Sequence, residues 1–260
     1  MELGLQERVA LVNAGSKGLG RAVARELARE GAKVALSSRD GHHVAEAVAA
    51  IRQESGGVVE GYQADVSKAE DIRRLVRDVA QKYGQIDVLV ANSGGPPSGK
   101  FVDFDDGAWE SAFNLNFMSV VRSIREVLPY MKGGGRIVYI ASSSVRQPLP
   151  NLILSNTMRS AVVALMKTLA DELAERGILI NTVAPGRIAT ERVEHLDRIN
   201  GELRGLSMAE VREEWQRQIP LGRYGEAEEF AKAVVFLSSW ANTYITGQLL
   251  LVDGGLVRSM

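Results

Sequence analysis

The stretch Val9-Ala-Leu-Val-Asn-Ala-Gly-Ser-Lys-Gly-Leu-Gly20 decides the fold. Apolar Val9–Val12 predict a short buried strand, Gly15, Gly18 and Gly20 a tight turn, and the amphipathic pattern over residues 21–30 a helix. Such a loop bares backbone N–H groups with the positive end of a helix behind them, an arrangement suited to a pyrophosphate. A glycine-rich turn alone is weak support, because many α/β proteins turn this way with nothing bound. Here it follows a strand, precedes a helix and opens a βαβ unit, and that context points to a dinucleotide.

Outward from this unit the two signals alternate. Residues 33–37 follow Gly31, a helix-stopping glycine, and read as a second strand; residues 43–54 read as a helix ended by Gly56 and Gly57, and residues 58–63 as a third strand. Ser67-Lys-Ala-Glu70 has capping-box spacing and opens a helix to Tyr83, stopped by Gly84. Residues 86–91 are continuously β-branched or aliphatic, as a parallel strand buried on both faces requires. A helical pattern over 106–131, a strand at 136–141, a helix at 155–176, a strand at 178–183, a helix at 226–239 and a strand at 249–252 complete the series. The expectation is a single α/β domain over residues 1–260, a Rossmann-type doubly wound parallel sheet of about seven strands with helices on both faces.

Composition narrows the function classes. With 260 residues, 45% hydrophobic and 24% charged, the chain can bury one large core. A formal net charge of −1 gives no support to nucleic-acid or membrane-surface binding, and no apolar run approaches a bilayer span. The absence of cysteine removes disulfides, thiolate nucleophiles and cysteine metal sites, and suits a reducing compartment. Residues 1–7 carry neither a basic region nor a long apolar run, so no signal peptide is expected and a cytoplasmic location is the default. His42, His43 and His195 lack metal-ligand spacing with carboxylates, so no metal is expected. Ser142-Ser-Ser144 lacks the Gly-x-Ser-x-Gly frame and a partnered histidine of a hydrolase, and Asp105-Asp106 reads as a helix start.

One segment breaks the rhythm. Between Pro185-Gly186 and Pro220 no strand is expected; Ser207-Met-Ala-Glu210 caps an amphipathic helix through Gln218, and residues 187–206 are charged and partly helical. The excursion leaves the carboxyl end of a strand, where open α/β sheets hold ligands, so residues 187–218 read as a substrate lid. A solvated helical insertion is the blander alternative.

These motifs together resemble the short-chain dehydrogenase/reductase family, in particular its 3-oxoacyl-[acyl-carrier-protein] reductase-like members, over nearly the whole chain. The family's phosphate loop, Thr-Gly-x-x-x-Gly-x-Gly, falls on Asn13-Ala-Gly-Ser-Lys-Gly-Leu-Gly20, with Ala14 where the first glycine stands. The resemblance implies that Gly15, Ser16, Lys17, Gly18, Leu19 and Gly20 approach the pyrophosphate and that Asp65 and Val66 contact the adenine. It also implies that Asn92 and Gly94, within Asn92-Ser-Gly94, approach the ribose, and that Pro185, Gly186, Ile188 and Thr190 face the nicotinamide. Gly222-Arg-Tyr-Gly225 and Val252-Asp-Gly-Gly255 resemble the carboxy-terminal signature, which implies a homotetramer or homodimer. At the end of the second strand an NAD-preferring relative carries an acid, whereas this chain has Ser38 and Arg39, with Lys17 nearby in the loop. Two cations and no carboxylate favour NADP(H) over NAD(H).

The same resemblance implies a catalytic set of an asparagine, a serine and a Tyr-x-x-x-Lys motif. Asn116 and Ser142 fall on the first two; the motif position reads Ser155-Asn-Thr-Met-Arg159. Strand alternation turns Tyr139, three residues before Ser142, to the opposite face. Asn116, Ser142, Ser155 and Arg159 therefore line the expected pocket without the usual phenolic acid. Two functional classes follow: an NADP(H)-dependent oxidoreductase of a carbonyl or alcohol substrate with an atypical site, and a non-catalytic NADP(H)-binding sensor or inactive partner subunit. A surface scaffold, the third class, would bind neither cofactor.

Overall fold

A computed structural model describes residues 2–259; Met1 and Met260, the ends of the expected domain, lie outside the described residues. Strands β1 (Val9–Val12), β2 (Lys33–Ser38), β3 (Val59–Gln63), β4 (Val88–Ala91), β5 (Gly135–Ile140), β6 (Ile178–Pro185) and β7 (Leu249–Val252) form a 7-stranded sheet in the order β3-β2-β1-β4-β5-β6-β7. Every pairing is parallel. The helices are α1 (Gly18–Arg29), α2 (Gly41–Ser55), α3 (Ala69–Tyr83), α4 (Asp106–Ala112), α5 (Ser119–Val127), α6 (Ile153–Glu172), α7 (Glu191–Arg204), α8 (Met208–Gln218) and α9 (Ala227–Leu237).

Side-chain alternation along the strands divides the core in two. Ala10, Val12, Val34, Leu36, Val88 and Val90 pack with Val23 and Leu27 of α1, Ile51 of α2 and Phe230 of α9. Leu11, Ala35, Leu89, Ile137 and Tyr139 pack on the other face with Leu75 of α3, Ile124 of α5 and Val162 and Met166 of α6. Both faces of the central strands are thus dry, which explains their unbroken apolar runs. Strand order reverses between β1 and β4, and the crevice beyond their carboxyl ends is where such sheets hold ligands. Among the described residues no helix is long and apolar enough to cross a membrane.

Three local expectations need correction. The helix expected over 106–131 is interrupted between α4 and α5 by a widened π-helical turn, Phe113–Met118, and finishes in the short 3-10 turn Leu128–Tyr130. The helix expected over 155–176 begins earlier, at Ile153, and ends at Glu172 before a separate 3-10 turn. The capping box at Ser67 does not form: Lys68 is the N-cap, and the Ser67 hydroxyl donates to Asp65 Oδ1 at 2.8 Å instead. The carboxylate two residues back offers a nearer local partner than the helix end does. The box at Ser207 does form, with Glu210 Oε2 accepting from Ser207 N at 2.8 Å and Glu210 N donating to Ser207 Oγ at 3.3 Å.

Candidate functional site

The glycine loop is held from behind by the sheet. Gly15 N donates to Ser37 O at 2.8 Å, and a Cβ on Gly15 would come within 2.9 Å of Leu36 Cβ. Gly20 is tighter still: a Cβ there would lie 2.3 Å from Ala14 O, the carbonyl that Asn92 Nδ2 also reaches at 3.3 Å. Lys17 caps α1 without a side-chain hydrogen bond, so the N–H groups of the first turn are left for another acceptor. Ala14, standing where the resemblance puts glycine, adopts φ +48°. A left-handed backbone costs an L-residue about 1–2 kcal/mol. Ala14→Gly is therefore expected to stabilise the chain by up to about 1 kcal/mol after the glycine's entropy is subtracted. Thermal melting checks this, and a lowered midpoint would overturn it.

At the adenosine end, Ser38 closes β2 opposite Gln63, and exposed Arg39 follows, its backbone carbonyl accepting from Gln63 Nε2 at 3.1 Å. The Lys17 ammonium is 3.8 Å from Glu191 at the start of α7, both side chains largely exposed. Asp65 Oδ1 is engaged within its own turn by Ser67 N and Oγ, and Val66 is buried. A Cβ on Gly94 would meet open space.

Four further predicted side chains lie on the π-helical turn, just past β5 and on α6. Asn116 lies in the π-helical turn, fully buried, with Nδ2 donating to Gly94 O at 2.7 Å and to Ser93 Oγ at 3.0 Å. Its Oδ1 is buried without a partner. Ser142 leaves β5 and caps a short turn, accepting from Ser144 N at 3.2 Å. Ser155 and Arg159 sit one turn apart on α6, both nearly buried, with Arg159 Nε donating to Ser155 Oγ at 3.3 Å.

Tyr139 has a partner that alternation alone does not predict. It does leave the sheet on the side opposite Val138 and Ile140, but α6 covers that side. Its hydroxyl consequently accepts from Arg159 Nη1 at 3.4 Å, beside the Ile140 carbonyl that accepts from the same nitrogen at 3.0 Å. Burial pushes the Tyr139 phenol pKa up, only partly offset by the adjacent guanidinium. This phenol supports Arg159 from below and is a poor acid.

At the β6 edge, Gly186 lies so close to Asp253 that a Cβ would come within 2.5 Å of the Asp253 Cβ. Ile188 is buried in the core and pairs with Gly225, so only its backbone is available to a ligand. Thr190 caps α7, accepting from Val193 N, and its methyl would lie 3.9 Å from a Cβ on Gly18. The root of the 187–218 excursion therefore faces the glycine loop. Sequence reasoning missed what holds the excursion together. Arg187 Nη1 donates to Asp197 Oδ1 at 2.7 Å, the Tyr224 hydroxyl donates to Asp197 Oδ2 at 2.8 Å, and the Arg187 guanidinium stacks on Trp215 at 3.8 Å. It also missed Arg192, which reaches across to donate to Pro96 O at 2.9 Å. No local periodicity marks these contacts.

Residues 13–257 match the family described as Enoyl-(Acyl carrier protein) reductase. The chain is 37% identical to "Dehydrogenase/reductase SDR family member 4" of Homo sapiens over 256 residues, covering 96% of this chain and 88% of that protein. This chain belongs to the short-chain dehydrogenase/reductase family. Among its other relatives in that family is "3-oxoacyl-[acyl-carrier-protein] reductase FabG" of Thermotoga maritima, 34% identical over 97% of this chain and 99% of that one. L-sorbose reductase from Gluconobacter frateurii, solved with NADPH and L-sorbose, superposes with a TM-score of 0.94 at 30% identity and full coverage of both chains. A variant of actinorhodin polyketide ketoreductase solved with NADPH gives 0.93 at 31% identity, covering 97% of this chain and 98% of that one. The chain is accordingly of the oxidoreductase type that this family comprises.

Proposed function

We propose that this protein is an NADP(H)-dependent oxidoreductase acting on a small carbonyl or alcohol substrate through an atypical active site. The observation that carries this reading is the uncapped start of α1, cradled by Gly15 and Gly20 at the point where strand order reverses. Its free N–H groups and the helix dipole suit a pyrophosphate. Gly20 lies so close to Ala14 O and the Asn92 amide that no side chain fits, which lets the start of α1 pack tightly behind the loop.

The phosphate-bearing cofactor is favoured because β2 ends in Ser38 and Arg39 rather than in an acid, and Lys17 adds a second cation. The NADPH bound by related reductases supports the same choice. Replacing both Lys17 and Arg39 by Ala is expected to weaken NADPH binding about 10- to 100-fold, the worth of charge-assisted hydrogen bonds, while sparing NADH. Fluorescence titration reads both ligands, and equal losses would remove the argument for NADP(H).

When bound, the cofactor supplies or accepts hydride; the chain's own residues bind, orient and manage protons. Asp65, Val66, Asn92 and Gly94 are assigned to the adenosine half, and Pro185, Gly186, Ile188 and Thr190 to the nicotinamide half. Asn116 offers its free Oδ1 to a water, and Ser142 holds the substrate oxygen. Ser155 and Arg159 stand in for Tyr and Lys. Guanidinium does not deprotonate and an aliphatic hydroxyl is a weak acid, so the proton comes from water or from the substrate itself. Residues 187–218 act as the lid over this pocket. The chain is assigned to a cytoplasmic homotetramer or homodimer; Leu250, exposed on edge strand β7, gives that assembly an apolar side chain to cover.

One observation favours a second reading, a nucleotide-binding sensor or inactive partner subunit: Arg159 is drawn down to Ile140 O and Tyr139. NADPH titration followed by an oxidation assay with ketones and 3-oxoacyl thioesters separates the two. Turnover supports the enzyme, binding without turnover supports the sensor, and no binding of either nicotinamide ends both.

A further inference from the structure

We infer that the cleft between α6 and the β6–β7 edge of the sheet binds a carboxylate carrying a short apolar chain. The cleft has a volume of about 430 Å³, within the range of small-molecule sites. Thr182 and Leu249 line it from the sheet, Val163 and Lys167 from α6, and Val145 and Arg146 from the turn after β5. Asn116, Ser142, Ser155 and Arg159 do not line it, so the cleft is separate from the site described above and the inference stands without the cofactor reading.

Thr182 carries much of the argument. Strand alternation puts its side chain on the same face as Ile180 and Ala184, which α6 covers, and it is 1% exposed. Other polar groups along this edge are paired. Ile180 N donates to Thr246 Oγ1 at 3.1 Å, Asn181 Nδ2 donates to Ile245 O at 2.8 Å, and Asn181 Oδ1 accepts from Gln248 N at 3.1 Å. Thr182 N likewise donates to Gln248 O at 2.8 Å, but its hydroxyl has no hydrogen-bond partner among the described residues. A buried hydroxyl left unpaired is costly, and this one lines a cavity in which a ligand can pair it.

Charge sets the sign of that ligand. Arg146 N donates to Ser143 O at 3.0 Å, yet its exposed guanidinium makes neither a hydrogen bond nor an ion pair among the described residues. The Lys167 ammonium has three donors and gives one to Gly247 O at 3.1 Å. No Asp or Glu lines the cleft. Exposed cations are ordinary on a surface; here two of them share one cavity with an unpaired buried hydroxyl. The apolar side chains of Val145, Val163 and Leu249 between them favour a head group with a hydrocarbon chain over a bare inorganic anion.

The probe is octanoate, titrated calorimetrically into the wild type, Arg146→Gln, Arg146→Lys, Lys167→Gln and Thr182→Val, with 1-octanol as the uncharged control and inorganic phosphate as the anion without a chain. The expected result is saturable binding of octanoate alone, with affinity about tenfold or more weaker in Arg146→Gln and in Lys167→Gln. Arg146→Lys is expected to retain an intermediate affinity, which separates charge loss from misfolding. Thr182→Val is expected to melt no lower than the wild type and to bind octanoate about 3- to 10-fold more weakly. No saturable octanoate binding, equal affinity in the wild type and Arg146→Gln, or octanol bound as tightly as octanoate would overturn the proposal. Displacement of octanoate by NADPH would place the anion in the cofactor crevice and also overturn it. If octanoate binds through Arg146 and Lys167 while neither nicotinamide binds, the cofactor reading fails and the cleft assignment stands.

Discussion

Replacing Ser155 by Tyr together with Arg159 by Lys is expected to raise NADPH-dependent carbonyl reduction about 10²- to 10⁴-fold, the contribution of a positioned general acid. The two positions are one helical turn apart on the same face of α6 and already touch, Nε to Oγ at 3.3 Å. A phenol at the first and an ammonium at the second therefore face the same crevice, where the ammonium lowers the phenol's pKa. Lys at 159 also lacks the fork that binds Arg159 to Ile140 O and Tyr139, so its charge is free to turn toward the crevice. The single variants are expected to gain less, because Tyr beside Arg159 meets a guanidinium held by other acceptors and Lys beside Ser155 has no phenol to assist. Stopped-flow loss of NADPH absorbance over a panel of ketones and 3-oxoacyl thioesters reads the outcome. No gain on any substrate, with NADPH still bound, would move the protein to the sensor class. A wild-type rate equal to that of the double variant would mean that a different donor already works in the pocket.

Asp197→Ala is expected to remove about 3–5 kcal/mol, because it leaves the Arg187 charge buried without its partner. That corresponds to a drop in melting midpoint on the order of 10 °C for a chain of this size. Asp197 is 2% exposed and ties three elements together through Arg187 at the end of β6, Tyr224 in the segment before α9, and its own helix α7. Trp215 of α8 packs on the same guanidinium. Loss of the carboxylate should therefore release α7 and α8 first, seen as faster amide exchange there than in β1, β4 or β5. Asp197→Asn keeps hydrogen-bonding capacity and is expected to fall between. The network also sets an alkaline limit. Burial, and the hydrogen bond to Asp197, raise the Tyr224 pKa above the ordinary phenol value of 10.0. A group with a raised folded pKa lends stability that is fully present below its unfolded pKa and is lost as pH climbs toward the folded one. The lid is thus expected to hold through neutral pH and to loosen only above pH 10. A midpoint unchanged in Asp197→Ala would mean that the excursion is held by other contacts.

The alternation of strands and helices was legible because each signal is local. Unbroken runs such as Val88–Ala91 mark strands dry on both faces, and Gly84, at φ +79°, ends α3 where the sequence puts its stop. The glycine loop was legible for the same reason, whereas the left-handed backbone at Ala14 came only from the structure. Two features were partly visible. The π-helical turn around Asn116 leaves no periodicity signal that a window of residues can separate from continuous helix. Tyr139 obeys strand alternation, but alternation says nothing about which helix covers that face.

By itself the sequence determined the element order, the parallel sheet, the dinucleotide-type loop and the identity of Ser155 and Arg159, because these rest on residue type and spacing within one or two turns. Tertiary structure alone decided that Tyr139 lies under Arg159, that Asp197 joins Arg187 to Tyr224, and that Arg192 crosses to a carbonyl 96 residues away. Contacts between distant segments arise only when packed elements bring their ends to one edge of the sheet, and side-chain partners are then chosen by distance and burial, which no local pattern encodes.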